Sequence, residues 1–177
     1  MINNIKKYCD IVRESSNENE IAIQWLYENK LYKKVIGTLR EELELYIRTF
    51  YLLNQNQIER ERILNSFFEG FKWKVTEREM VNFAQNNSFK GWEEITYQIG
   101  CYFIHLTVLH NWNQEDITKF ITLTEKKILI NYINKYHNAN LTIDSKFEDI
   151  IKFSLDIFYK IKDNMEYQLE QLENNIV

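Results

Sequence analysis

Proline is missing from this 177-residue chain altogether, and glycine occurs only four times. A β-rich fold needs both residues at its turns, whereas helix interiors exclude them. Their scarcity therefore points to long helices joined by short polar links. Cysteine is nearly absent as well: Cys9 and Cys101 stand far apart, with no Cys-x-x-Cys pair. Two such residues make neither a disulfide framework nor a zinc site, and they read as buried, reduced thiols. Nowhere do about 18 apolar residues run together, so the chain is expected to have no membrane span. The opening stretch Met1–Glu14 lacks the apolar run of a signal peptide, so a cytoplasmic protein is expected. Excess positive charge is lacking too. The 22 Lys and Arg against 26 Asp and Glu leave a net charge of −4, which argues against a general polyanion-binding surface.

What is present fits a folded core. Hydrophobic residues make up 45% of the chain and aromatic residues 15%, far from the signature of disorder. The length is that of one domain, residues 1–177, with no internal repeat and no linker. The spacing predicts helices over Ile2–Glu14 and Glu20–Asn29, separated by a break at Ser15–Glu20 whose polar residues offer N-caps. A strong helix follows over Leu31–Leu53. In it Tyr32, Val35, Ile36, Leu39, Leu43, Tyr46, Ile47 and Phe50 share one face. Further helices are expected over Ile58–Phe68, from the Thr76/Glu79 capping box to Gln85, and from the Thr122/Glu125 box to Tyr136–Asn138. Trp92–Trp112 is apolar on two sides, the mark of a buried central helix. A third capping box, Ser145/Glu148, is expected to open the longest helix, running to Glu173. Its buried stripe is Phe147, Ile150, Ile151, Ser154, Ile157, Phe158, Ile161, Met165, Leu169 and Leu172. The fold class is thus all-α, a single-domain helical bundle with one long C-terminal helix.

Candidate chemistry sits in three places. Arg40, Glu44 and Arg48 form an i, i+4, i+8 ladder at the edge of an apolar face, roughly 80° from its centre. Such a ladder is either a surface ion-pair row or a carboxylate-held guanidinium aimed at a phosphate. His105 and His110 lie on the central helix about 140° apart, too far round for one ion. Cys101 and His105 supply two ligands at most, so no metal and no cofactor is expected. His137, in a last helical turn, suits the helix dipole. Finally, Phe71-Lys72-Trp73-Lys74 and Phe89-Lys90-Gly91-Trp92 interleave cations with aromatics. That pattern grips single strands by stacking and charge, and equally covers a bundle end with lysine stems lying on rings. Weak RNA contact through Lys72, Trp73, Lys74 and Lys90 is one expectation of it.

The helix Gly37–Leu53, with Arg40-Glu41-Glu42-Leu43-Glu44 inside it, resembles the leading helix of HEPN-type bundles. Gly100–Asn111 is similar to their later histidine-bearing helix. The resemblance implies a small, often dimeric bundle linked to microbial defence or toxin–antitoxin systems, in which some members cleave RNA and others only bind. Catalytic members carry an Arg four to six residues before a His. No Arg precedes His105, His110 or His137 at that spacing. The leading expectation is therefore a non-catalytic interaction module acting through a protein partner or a homodimer. The alternative is a metal-independent ribonuclease using His110 or His105 with Arg40 or Arg48 brought from another helix.

Overall fold

The computed structural model describes residues 2–87, 92–104 and 121–174, without the side chains of residues 2, 92 and 101–104. The elements are α1 (Ile2–Glu28), α2 (Tyr32–Leu53), α3 (Gln57–Phe68), α4 (Glu77–Asn87), α5 (Trp92–Ile104), α6 (Leu123–His137), α7 (Phe147–Ile150) and α8 (Ser154–Asn174). No strand occurs among the described residues. The chain is an all-α bundle with a long C-terminal helix, as the scarcity of turn-forming residues predicts.

Helix α2 is surrounded: it packs against α1, α3, α4, α5 and α8. Val35, Ile36, Leu39, Leu43, Tyr46, Ile47 and Phe50 are buried on its apolar face, and so are Thr38, Glu42, Thr49 and Leu52 on its other sides. Its C-terminal carbonyls are met by Arg60 of α3, whose guanidinium donates to the oxygens of Leu53 at 2.9 Å, Gln55 at 3.1 Å and Leu52 at 3.3 Å. Helix α5 buries Glu93, Ile95 and Thr96, while Glu94, Tyr97, Gln98 and Ile99 are half-buried.

The expected break at Ser15–Glu20 does not exist. Helix α1 runs unbroken through it. The reason is tertiary: Ser16 is buried and donates to the Glu42 carboxylate at 2.6 Å, and Asn19 donates to its other oxygen at 3.0 Å. Side chains that compete with a helix's own backbone are here engaged by α2. Ile5, Tyr8, Val12, Ser16 and Ile23 thus form one continuous buried stripe with a polar member. Glu42 itself is fully buried, and burial pushes its carboxyl above the usual range despite the two donors. Across α1 and α8, Arg13 forks onto Glu173 at 2.8 and 2.9 Å and bonds Glu166 at 2.9 Å.

The C-terminal helix starts differently from its sequence pattern. Asp149 accepts from the backbone N–H of Lys146 at 3.0 Å, while Ser145 accepts from Thr142 N–H at 2.9 Å. The cap is therefore displaced by one residue. A 3₁₀ turn over Ile151–Phe153 then separates α7 from α8. The longest uninterrupted α-helix is consequently α1, with 27 residues against 21 in α8. All ten residues of the predicted C-terminal stripe are buried. The other two capping boxes form as read. Thr76 and Glu79 exchange bonds of 2.7 and 3.3 Å, and Thr122 and Glu125 bonds of 2.6 and 3.2 Å.

Helices α2 and α5 meet at a glycine. A Cβ on Gly100 would lie 2.5 Å from Arg40 Cβ and 2.9 Å from its Cγ. The first of these atoms is fixed by the backbone, so only a shift of the helices would make room. Gly37, inside α2, has nothing within 4 Å of its notional Cβ. The same substitution should then act with opposite signs. Gly100→Ala should destabilise by about 1–3 kcal/mol through overpacking. Gly37→Ala should stabilise by about 0.5–1 kcal/mol, because alanine loses less backbone entropy in a helix. Urea denaturation of both variants checks this, and a stabilising Gly100→Ala would disprove the close crossing. Phe158, wholly buried, should cost about 3–5 kcal/mol on truncation to Ala, measured in the same way.

Candidate functional site

The densest polar cluster among the described residues grows from the ladder on α2. Arg40, Glu44 and Arg48 rise one turn apart, and Glu44 holds both neighbours: Arg40 Nη1 donates to Oε2 at 3.0 Å, and Arg48 Nε and Nη2 donate to Oε1 at 2.9 and 2.7 Å. A second carboxylate closes the cluster from outside the helix. Glu77, in the first turn of α4, accepts from Arg40 Nη2 at 2.6 Å and from Arg48 Nη2 at 3.4 Å. The Tyr97 hydroxyl of α5 donates to Glu77 at 2.9 Å. Two cations and two anions thus form an electroneutral ring joining three helices.

Aromatic faces back the ring. The Arg40 guanidinium lies 4.9 Å from the centre of Tyr97, and that of Arg48 lies 5.4 Å from Trp73. Trp73 in turn packs against Tyr8 and Tyr51, with ring centres 6.3 and 6.4 Å away. The Arg40 side chain is only 12% exposed, whereas those of Arg48 and Glu77 are 28% and 34% exposed. The cluster is therefore a half-buried network, in which ion pairs gain more than isolated surface pairs do. Burial pushes the Glu77 carboxyl upward. Tyr97, the Glu44 carboxyl beside it and the charges of Arg40 and Arg48 outweigh burial and hold it below its ordinary value.

The sequence candidates fall into distinct groups. Arg40 and Arg48 come together, and Trp73, singled out for a different reason, joins them through Arg48. Lys72 and Lys74 flank Trp73 and are exposed. His105, His110 and Lys90 lie outside the described residues, as does the Cys101 side chain. His137 packs its ring against Tyr132 and Phe153, with centres 5.6 and 6.4 Å away. Cys9 is fully buried, and burial pushes its thiol up to about 12, which leaves it unreactive. Among the described residues, no three His, Cys, Asp or Glu side chains are grouped to hold a metal ion. None of the described helices is long and apolar enough to cross a membrane.

Sequence reasoning missed Glu77 and Tyr97. Glu77 follows the cap residue Thr76 and looks like an ordinary acid at a helix N-terminus. Tyr97 is one of 11 tyrosines. They stand 37 and 57 positions from Arg40, and nothing local announces the pairing. No protein-family model, curated protein or solved structure matches this chain.

The network carries a pH dependence of defined sign. A carboxyl held below its unfolded value of about 4.3 contributes stability above that pH, and the contribution is lost as pH falls through the folded value. Glu77→Gln leaves two guanidiniums facing one carboxylate and should cost about 1–2 kcal/mol at pH 7. The gap between wild type and variant should narrow between pH 7 and a pH well below about 4.3. Urea titrations at the two pH values measure it. An unchanged gap at low pH would mean that the Glu77 charge contributes nothing.

Proposed function

We propose that the chain is a non-catalytic, HEPN-like helical interaction module that works through a protein partner or a second copy of itself. The observation that carries this reading is the charge balance at Arg40 and Arg48. Metal-free RNA cleavage needs a cation free to stabilise the developing phosphorane. Each of these guanidiniums already faces both Glu44 and Glu77, so a phosphate approaching either one meets two carboxylates as well. The cluster's chemistry is that of a brace between helices.

The two helices that carry the family likeness, α2 and α5, cross directly at Arg40 and Gly100, which supports a shared layout. For an interaction surface, α1 presents Ile21 and Trp25 one turn apart, 72% and 58% exposed. An exposed tryptophan of this kind is a common interface anchor. RNA contact, in this reading, is weak and electrostatic. It comes from Lys72 and Lys74, because Trp73 already stacks on protein rings instead of bases.

The separating experiment is RNA cleavage in EDTA by the full chain, beside His110→Ala and Arg48→Ala, on structured and single-stranded substrates. No protein-dependent cleavage is expected. Activity that survives EDTA and vanishes in both variants would replace the interaction reading with a metal-independent ribonuclease.

A further inference from the structure

The exposed ridge of α1 has a counterpart on the same molecule. We infer that the chain assembles head to tail, with the α1 ridge of one copy seated in the groove between α2, α5, α6 and α8 of the next. This rests on the interaction reading above and names a second copy of the chain as the partner.

The ridge is apolar at its centre and acidic at both ends. Ile21 and Trp25 are 72% and 58% exposed. Glu14 and Glu18 precede them and Glu28 follows, all five within about 80° of the helix circumference. The three glutamates are exposed, and none is ion-paired among the described residues.

The groove has the opposite character. Its volume is about 760 Å³. Clefts of about 300–1,000 Å³ take drug-sized molecules, so an indole and a sec-butyl group fit inside. Helices α2, α6 and α8 each line it with residues at i, i+4 and i+7, starting from Tyr46, Ile128 and Lys160. That spacing gives each helix one face two turns long, the length a ridge carrying Ile21 and Trp25 needs. Phe50 and Tyr132 supply apolar wall. Lys135 and Lys160 are exposed, and neither is ion-paired among the described residues. Glu93, the only acid among the lining residues, is 5% exposed and already engaged. An apolar trough with cations at its edge matches an apolar ridge bracketed by acids, and a helix laid in a groove is a recurring mode of recognition.

The contact is head to tail because of what lies between the two surfaces. Helix α8 meets α1 through Tyr159 and Lys162, and the groove through Lys160 and Asn164. A reciprocal two-fold seating would therefore bring the outer faces of two α8 helices together. That face carries Asp156, Asp163 and Glu170, all exposed and spaced seven apart. Like charges set against each other disfavour it, whereas a heterologous contact leaves those acids in water.

Sedimentation velocity of the full chain over roughly a hundredfold concentration range tests this by mass action. Wild type is expected to shift to larger species as concentration rises. Two variants change exposed side chains alone: Ile21→Ser/Trp25→Ser removes the ridge, and Lys135→Glu/Lys160→Glu reverses the charge of the groove. Each should weaken self-association about tenfold or more, the effect of losing an aromatic anchor or complementary charge. An equimolar mixture of the two keeps one intact ridge and one intact groove. It should form a 1:1 complex that grows no further, which also shows that both variants fold. The inference is overturned if wild type stays monomeric throughout, if either variant associates as wild type does, or if the mixture stays monomeric. A monomeric wild type leaves the interaction reading with a different protein as partner. That reading itself fails by RNA cleavage, which sedimentation does not register.

Discussion

Helix α2 has to be enclosed by five other helices while it carries Arg40, Glu42, Glu44 and Arg48, and the bundle depends on answering those charges. An unpaired charge taken out of water is far more costly than any single apolar contact is favourable. Arg40, Glu42 and Arg48 are met from outside α2, while Glu44 is held by the two arginines of its own helix. Ser16 and Asn19 of α1 satisfy Glu42, and Glu77 of α4 with Tyr97 of α5 completes the ring around Arg40, Glu44 and Arg48. The polar contacts thus select which helix lies on which side of α2, a choice that apolar stripes alone leave open.

The same requirement shapes the neighbours. Helix α1 passes unbroken through a run of helix-weakening residues because Ser16 and Asn19 have acceptors on α2. Helix α5 approaches so closely that only glycine fits at position 100 against the Arg40 stem. That crossing sets Tyr97 over the Arg40 guanidinium and within reach of Glu77. Packing and electrostatics are therefore one arrangement, and a methyl group at the crossing disturbs both.

Function, in our reading, divides between surfaces. The arginine network braces α2, α4 and α5, and the exposed ridge of α1 is offered to a partner.

By itself the sequence determined the helical class, because a chain without proline and with four glycines has few means of turning. It also determined the apolar faces of α2 and α8, whose stripes repeat at helical spacing and are buried as read except at Tyr32, which is half-buried. Two of three capping boxes were legible for the same reason: their partners are three residues apart. The third moved by one residue because Asp149, not Glu148, faces the backbone of its cap. The fate of Ser16, the closure of the arginine ladder by Glu77 and the meeting of Arg48 with Trp73 were decided only in the tertiary structure. Each depends on residues 25 or more positions apart. Local pattern records which face of a helix is apolar, but which distant side chain arrives to neutralise a charge is set by how the helices cross.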